Sequence, residues 1–427
     1  MIIYNLFPLL AGTLSHWESH IERSAAMGFE WIYANPIQKS GMSGSLYSIA
    51  DYFDVDPRFV DPQSSLSPER QVKAVAQTAE RRGLRLMVDL VINHCAVDSE
   101  LTRQRPEWFA RKPDGSIVHP SCRGNGQSVV WGDLARFDHE HTSDPEGLYG
   151  LVYRIVEYLV QLGFAGFRCD AAYQIPSRLW RRLIGQVKNR YPDTVFTAET
   201  LGCTPQQTKE TARAGFDYVY NSSKWWDFKS PWLMEQYQLI REVTPSIGFP
   251  ESHDTERLFQ EMQGNQAGVK QQCLFTSLFS AGSMIPMGFE FGFRKRLHVV
   301  KTRPEDWEEP NIDLREFIRN INAVKKRCKI FGEECPTSIL PHENPNILLL
   351  RKTSTKTTQE ALLILNKDVW HHQHFYVNDL SASHKAKTAL SDVSPEYALD
   401  YIPTKPFSYD LRPGQGIVLV TGLDTSV

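Results

Sequence analysis

Long apolar runs are missing from this sequence. No stretch approaches the roughly 18 consecutive apolar residues of a membrane-spanning helix. The opening segment, MIIYNLFPLL, also lacks the positive region and the small-residue cleavage site of a secretory signal. We therefore expect no membrane partner and a chain that is folded from residue 2 onward. Nothing in the sequence indicates an oligomeric state.

An excess of charge of one sign is also missing. The chain has 47 Lys and Arg against 50 Asp and Glu, a formal net charge of -3 at pH 7. The basic residues are scattered, so the sequence offers no positive patch of the kind that binds nucleic acid. A polynucleotide partner is not expected.

Cysteine is scarce and unpatterned. There are seven cysteines in 427 residues, an odd number with no CxxC pair. This usage fits neither a disulfide framework nor a zinc site. It predicts a protein of a reducing compartment, which we take to be the cytoplasm.

What the sequence does have is a regular alternation of short β-rich runs with longer helical patterns through about residue 330. Eight such pairs predict a (β/α)8 barrel, whose active site lies at the C-terminal ends of its strands. The predicted strands are 2–7, 31–35, 84–91, 165–169, 194–198, 216–221, 246–249 and 283–288, and the predicted helices are 15–27, 67–82, 148–162, 176–191, 204–213, 232–242, 266–280 and 313–328.

Two further regions flank this pattern. The stretch after strand 3, about 95–147, is too long for a plain loop and contains HPSCRGNG, so we predict a small inserted subdomain there. From about residue 334 the runs NILLLRK, ALLILNK and GIVLVTG alternate with turns. They predict a C-terminal antiparallel β-sandwich domain over 334–427, with the barrel over 1–333.

Acidic residues lie at the ends of four predicted strands. A cluster of acids in a buried place costs several kcal/mol unless the acids are paired or functional. We therefore expect a catalytic site at this end of the barrel, with Arg168 holding Asp170 ionised. The residues are Asp89 and His94 after strand 3, Arg168 and Asp170 after strand 4, Glu199 after strand 5, and His253 and Asp254 after strand 7.

The ordered set resembles a known family. Two facing carboxyl groups, one ionised and one protonated, are what cleavage of a glycosidic bond requires. The segments DLVINH, GFRCDA, FTAET and SHD, in this order, resemble the motifs of the α-amylase superfamily (glycoside hydrolase family 13), and SLYSIADYFDVDPRF resembles a further element of it. The resemblance implies a retaining enzyme of α-glucans or maltooligosaccharides with no required cofactor.

The resemblance also implies roles for single residues. Asp170 is the nucleophile, Glu199 the general acid and base, and Asp254 the stabiliser of the oxocarbenium-like transition state. Asp89 is implied to anchor loops near the site. Substrate contacts are implied for four residues: His94 and His253 to sugar hydroxyls, Arg168 in support of Asp170, and Tyr47 beneath the sugar ring.

Several of these residues have structural alternatives. The histidines could brace loops, and Tyr47 could simply pack. Trp225 and Trp226, in KWWDF after strand 6, are either a stacking platform for outer glucose units or packing residues. Asn93 and Asp133 match calcium ligands of the family, but they could equally tie the inserted loop down by hydrogen bonds.

The reaction itself has alternatives. Tyr173 and Gln174 stand where many amylases have Lys and His, which leaves the aglycone preference open. AAMGFEWIYANPI, PEWFARKPDGSI and GFEFGFRKR resemble the bacterial maltosyltransferases that use maltose 1-phosphate, a branch of the same superfamily. Hydrolysis is the leading prediction, transfer to a sugar acceptor is the alternative, and a carbohydrate-binding relative without catalysis is the third.

Overall fold

The computed structural model describes residues 1–124, 127–385, 389–402 and 405–423. Of the HPSCRGNG stretch, Asn125 and Gly126 lie outside the described residues.

Eight parallel strands form a closed barrel, as predicted. Around the barrel they follow the order β1-β8-β7-β6-β5-β4-β3-β2. Each begins and ends within two residues of its predicted bounds. The strands are β1 (Ile2–Leu6), β2 (Trp31–Ala34), β3 (Arg85–Leu90), β4 (Gly166–Cys169), β5 (Val195–Ala198), β6 (Tyr218–Tyr220), β7 (Ser246–Gly248) and β8 (Gly282–Pro286).

The eight predicted helices are present, each starting within three residues of the predicted position. The side chains of Ser67 and Thr204 accept hydrogen bonds from the first turns of the second and fifth helices, the capping expected of a hydroxyl before Pro. The helices are α1 (Trp17–Ala26), α2 (Pro68–Arg81), α3 (Pro145–Gln161), α4 (Ser177–Arg190), α5 (Pro205–Ala212), α6 (Trp232–Ile240), α7 (Gln266–Phe279) and α8 (Arg315–Arg327).

Short elements fill the longer loops. Three two-stranded pairs join Gln38–Ser40 to Ile49–Val55, His94–Ala96 to Leu134–Arg136, and Ser121–Gly124 to Gln127–Val130. The last two pairs fall in the predicted insertion. Short helices span Pro8–Ala11, Leu101–Gln104 and Leu258–Glu261.

The chain groups into two compact units. The first unit contains Ile3–Asn221 and Leu297–Trp307, and the second contains Met1–Ile2, Ser222–Arg296 and Glu308–Val427. The bounds of these units differ from the predicted domain boundary between residues 333 and 334. That boundary stays a prediction. Each unit is described by itself below.

The predicted C-terminal antiparallel domain is confirmed. A five-stranded sheet has the order β9-β10-β11-β15-β13, with β9 (Thr337–Leu340), β10 (Ile347–Thr353), β11 (Glu360–Asn366), β13 (Leu390–Asp392) and β15 (Gly416–Thr421). A second, two-stranded sheet pairs β12 (Gln373–Val377) with β14 (Phe407–Leu411). Apolar side chains from both sheets form one core: Ile347, Leu349, Leu362, Ile364, Phe375, Phe407, Leu411, Ile417 and Leu419.

The register of the central strands decides which side chains meet. β3 and β4 pair in parallel with Asp89 opposite Arg168. β4 pairs with β5 so that Arg168 is opposite Thr197 and Cys169 opposite Ala198. Because side chains at one level of neighbouring strands point to the same face, Asp89 and Arg168 meet without any help from a loop.

Within the residues that the structure describes, no helix combines the length and the apolar character needed to cross a membrane.

Candidate active site

Arg168 lies between two carboxylates in the first unit. Its Nη1 donates to Asp89 Oδ1 over 2.7 Å and to Asp170 Oδ1 over 3.1 Å. Arg168 is 4% exposed and Asp89 is fully buried, whereas the Asp170 side chain keeps 16% of its surface in solvent. The pair thus stands as predicted, but the shorter contact of Arg168 is to Asp89.

A ring of hydroxyl and amide groups completes the surroundings of Asp89. Tyr33 and Tyr47 both donate their hydroxyls to Asp89 Oδ2, the latter over 2.7 Å. Asn35 donates to the Tyr47 hydroxyl over 2.9 Å, and Asn5 donates to Asn35 over 3.0 Å. Each of these side chains makes at least one hydrogen bond within the network, although the amide oxygen of Asn5 has no hydrogen-bond partner among the described residues.

This network fixes the charge of Arg168. Burial by itself would lower the pKa of Arg168, but Asp89 and the other surrounding groups raise it well above its usual value. Burial likewise raises the pKa of Tyr33 well above its usual value, so the phenol stays a hydrogen-bond donor. A permanent cation therefore faces Asp170.

Our sequence interpretation missed Tyr33, Asn35 and Asn5. The available signal was a polar side chain inside an otherwise apolar strand: Asn5 in IIYNLF, and Tyr33 with Asn35 in WIYAN. Both asparagines are fully buried. Buried polar groups are hydrogen-bonded, so such residues predict a network, though not its partners. For Tyr47 the structure adds a hydroxyl role, and stacking against a sugar stays a prediction.

The Glu199 carboxyl is hydrogen-bonded to the main chain immediately after Asp170. The main-chain N–H of Ala171 donates to Glu199 Oε2 over 3.0 Å, and that of Leu201 donates to Oε1 over 2.6 Å. Ala171 has φ of 43°, a left-handed conformation unusual for a residue with a Cβ. Such conformations persist where the surroundings impose them, and here the residue concerned is the one whose N–H is bonded to Glu199.

His94 is a buried imidazole in the same unit. It is 6% exposed, and neither ring nitrogen has a hydrogen-bond partner among the described residues. Burial lowers the pKa of His94 to about 4, although the main chain at Tyr47 and the charge of Asp133 act in the opposite direction. The ring is neutral at pH 7 and offers one donor and one acceptor, as contact with sugar hydroxyls requires.

Gln174 links two loops beside the site. Its Oε1 accepts from Asn93 Nδ2 over 3.1 Å, and its Nε2 donates to the Tyr173 hydroxyl over 3.3 Å. Burial raises the pKa of Tyr173, and the charges of Glu199 and Asp170 act in the same direction. The two residues that depart from the usual Lys and His therefore lie close to the candidate carboxylates.

The predicted calcium ligands are only partly suited to a metal. The side-chain amide of Asn93 donates a hydrogen bond to Gln174. The main-chain carbonyl of Asp133 accepts from Val97 N and from Ser48 Oγ. In the described part of the chain no three His, Cys, Asp or Glu side chains gather as metal ligands would. One carboxylate and one amide fall short of the six to eight oxygens that Ca²⁺ takes. Calcium binding stays a prediction, and no step below depends on it.

His253 and Asp254 belong to the second unit. His253 Nε2 lies 3.0 Å from Asp254 Oδ2. His253 is 3% exposed, whereas the Asp254 side chain is 59% exposed. The Asp254 carbonyl accepts from Arg296 over 2.9 Å, so the main chain is held while the carboxylate stays open to solvent.

The two neighbouring tryptophans have different environments. Trp225 is 50% exposed and meets Phe249 edge to face, with ring centroids 5.9 Å apart. Trp226 is 2% exposed, packs against Phe228 and Phe275, and donates its indole N–H to a main-chain oxygen. Of the two alternatives left open for Trp226, its burial against Phe228 and Phe275 favours packing. The stacking-platform role stays a prediction for Trp225.

Comparisons with known proteins agree with this picture. The family model of the glycogen debranching enzyme, glucanotransferase domain, matches residues 1–110. The α-1,4-glucan:maltose-1-phosphate maltosyltransferase of Burkholderia pseudomallei is 25% identical over 85% of this chain and 32% of its own length. A cyclomaltodextrinase of Geobacillus thermopakistaniensis is 23% identical over 83% of this chain and 62% of its own length.

The chain is thus shorter than these proteins, spanning about a third to three fifths of the curated relatives described. Among solved structures, an α-amylase from Lactobacillus plantarum superposes with a TM-score of 0.77 at 19% identity, over 99% of this chain and 98% of that one. This likeness shows the fold. By its ordered motifs and its sequence relatives, the chain is similar to enzymes of the α-amylase superfamily, and among them to its maltosyltransferase branch.

Proposed function

We propose that the chain is a retaining enzyme that cleaves α-1,4-glucosidic bonds of α-glucans or maltooligosaccharides. The observation that carries the proposal is the pairing of Asp170 with Arg168 beside a second carboxyl, Glu199, that is bonded to the very next residue. An ionised nucleophile and a neighbouring acid are the two groups that double displacement needs. The substrate class and a location in the cytoplasm also belong to this proposal.

The reaction takes two steps. In the first, an Asp170 carboxylate oxygen attacks the anomeric carbon, the bond to the leaving oxygen breaks, and Glu199 gives its proton to that oxygen. In the second, Glu199 takes a proton from water, whose oxygen attacks the same carbon and releases Asp170. One water is added across one glycosidic bond, and the configuration is retained. We expect the two carboxyl groups about 5 to 5.5 Å apart in the substrate complex.

The remaining residues support these steps. Arg168 balances the charge of Asp170 before attack, and neutral His94 offers hydrogen bonds to hydroxyls of the bound sugar. The family pattern adds Asp254 as a negative charge that favours the oxocarbenium-like transition state, with His253 beside it. Charge that is already fixed before the reaction contributes most, because no reorganisation is needed at the transition state.

Transfer to a sugar acceptor is the second candidate. It is favoured by the sequence similarity to maltosyltransferases and by the match to a glucanotransferase model. The covalent intermediate is common to both reactions. They differ in the second step, where a sugar hydroxyl replaces water.

Product analysis tests the two candidates directly. Purified protein is incubated with maltoheptaose, with and without maltose 1-phosphate, and the products are identified by mass spectrometry. Shorter oligosaccharides alone support hydrolysis. Products longer than maltoheptaose support transfer, and their dependence on maltose 1-phosphate identifies that donor. An unchanged substrate in every reaction contradicts both and leaves a binding role.

Asp170→Asn tests the nucleophile. We expect turnover to fall by several orders of magnitude with the thermal midpoint little changed, because the amide keeps the shape but cannot form the covalent ester. Asp193→Asn, at an exposed position of the same unit, is the matched control and should behave as the unaltered protein. Normal activity in Asp170→Asn contradicts the assignment.

A further inference from the structure

A fully buried ion pair brackets the segment that carries His253 and Asp254. Glu251 and Arg257 are each 1% exposed, and Arg257 Nη1 donates to Glu251 Oε1 over 2.8 Å. The second oxygen of Glu251 accepts from the main-chain N–H of Leu258 over 2.5 Å. One side chain thereby joins both ends of the segment 251–258.

Burial along the segment has the profile of a fixed loop. The residues at both ends are buried, whereas Asp254 and Glu256 are exposed at its tip. Inside the loop, Ser252 N donates to Thr255 Oγ1 over 3.0 Å, and Thr255 N donates to the Ser252 carbonyl over 3.3 Å. The tip of the segment is therefore a hydrogen-bonded turn of its own. The two ends of the segment are held together by the Glu251–Arg257 ion pair.

Arg257 also reaches a second loop of the same unit. Its Nη1 donates to the Met287 carbonyl over 3.0 Å and its Nε to the Lys295 carbonyl over 3.1 Å. Arg296, next to Lys295, donates to the Asp254 carbonyl and pairs with Glu256. The segment that bears Asp254 is consequently hydrogen-bonded to residues 287–296 in two places, through the buried Arg257 and through the exposed Arg296.

Folding energy alone is a poor explanation for this buried pair. Burial raises the pKa of Glu251, and Arg257 and Lys224 act against this. A buried ion pair adds little net stability compared with apolar residues, but removal of one partner leaves an uncompensated charge. A pair that contributes little stability and spans a functional loop is better explained by geometry than by folding energy.

We propose that Glu251 and Arg257 are positioning residues that hold residues 252–256, and so the Asp254 carboxylate, in the conformation that the reaction needs. Neither residue touches substrate. The inference rests on the proposed function for its catalytic consequence. Its structural part, that the pair restrains the segment, can be measured without any activity.

The test uses Glu251→Gln, which keeps the shape and an acceptor oxygen but removes the charge. Glu334→Gln is the matched control. Glu334 is a partly buried carboxyl of the same unit that accepts from Ala281 N over 2.9 Å and from the hydroxyl of Ser246, and it lies near Lys352; none of the hydrogen bonds described above for the segment 251–258 involves it. Amide hydrogen exchange of residues 252–257, kcat and KM are measured for both full-length variants.

We expect faster exchange in 252–257 and a kcat lower by about 10- to 100-fold in Glu251→Gln, with KM within about threefold, because small displacements of a catalytic group have effects of that size. Glu334→Gln should change neither. The double change Glu251→Leu with Arg257→Met should recover thermal stability but not kcat, a split that a purely structural role does not produce.

Other outcomes overturn the proposal in distinguishable ways. Unchanged exchange in Glu251→Gln means that the pair does not restrain the segment. Faster exchange with normal kcat means that the restraint has no catalytic role. An unaltered protein that is inactive on every α-glucan contradicts the proposed function instead, and the exchange result then decides the restraint by itself.

Discussion

The main-chain N–H of Ala171 donates to Oε2 of Glu199 over 3.0 Å, so the residue that follows Asp170 is bonded to the second carboxyl of the site. The Glu199 carboxyl is therefore held by one hydrogen bond at a distance of one peptide unit from the main chain of Asp170. For a reaction in which both groups act on the same carbon–oxygen bond, this is a short and stiff connection.

Glu199→Gln should separate the two roles of this residue. With maltoheptaose we expect kcat to fall by about 10²- to 10⁴-fold, the contribution usual for general acid–base catalysis. With α-maltosyl fluoride, whose leaving group needs no proton, formation of the glycosyl-enzyme should be much less affected. Rapid-quench mass spectrometry would detect the accumulated intermediate. Equal losses with both donors would contradict the acid role.

Asp89→Asn should destabilise the first unit. The change leaves the buried Arg168 with Asp170 as its remaining carboxylate partner in this network, and breaking a buried ion pair costs about 3 to 5 kcal/mol. Urea unfolding measures the loss. Asp313→Asn, in the exposed pair with Arg315, is the control and should cost less than about 1 kcal/mol. Equal costs would contradict the central place of Asp89.

The tryptophans should respond differently to truncation. Trp226→Ala removes a buried indole that packs against both Phe228 and Phe275, which we expect to cost about 3 to 5 kcal/mol of unfolding free energy. Trp225→Ala, at the exposed neighbour, should cost less than about 1 kcal/mol. Thermal melts compare the two. If Trp225 is a platform, its alanine variant also raises KM for long glucans more than for short ones.

Because the pKa of His20 is lowered in the folded protein, we expect the free energy of unfolding to decrease in acid. Burial and then Arg23 lower the pKa of His20 to about 4, and its Nδ1 accepts from Arg23 over 2.7 Å. The unfolded chain, with a pKa near 6.5, binds the proton first, so stability falls as the pH decreases from about 6.5 toward 4. Between pH 7.5 and 5.0 this histidine accounts for about 2 kcal/mol.

His20→Gln keeps an acceptor for Arg23 and cannot titrate in this range. Urea unfolding at both pH values should therefore show a difference smaller by about 2 kcal/mol than in the unaltered protein. His372→Gln, at an exposed position, serves as the control. An unchanged difference in His20→Gln would contradict the buried, neutral state of this ring.

Strand and helix positions were predictable because both periodicities are strong in this chain. β4 and α7, for example, lie where the β-rich run and the helical periodicity predicted them. The partner of Arg168 was not predictable. Two carboxylates compete for one guanidinium, and only the register of β3 against β4 puts Asp89 at the shorter distance.

Other site features depend on contacts between distant residues. Trp225 and Trp226 are adjacent in one loop and chemically identical, so no pattern could assign one to solvent and the other to the core. The link from Asn93 through Gln174 to Tyr173 joins loops that are 81 residues apart in the chain. Composition and spacing indicate that polar groups are needed there, but side-chain packing decides which of them meet.

The C-terminal end of α7 is closed by lysines from two other elements. Lys325 of α8 donates to the carbonyls of Ser277 and Ser280 over 2.8 and 2.6 Å, and Lys352 of β10 donates to those of Leu278 and Phe279. Both amines are buried. A chain truncated before β10 would lose Lys352, and the carbonyls of Leu278 and Phe279 at the end of α7 would lose its hydrogen bonds. The end of this barrel helix is thus stabilised by the C-terminal sheet. In recombination experiments, the sheet and this helix should be inherited together.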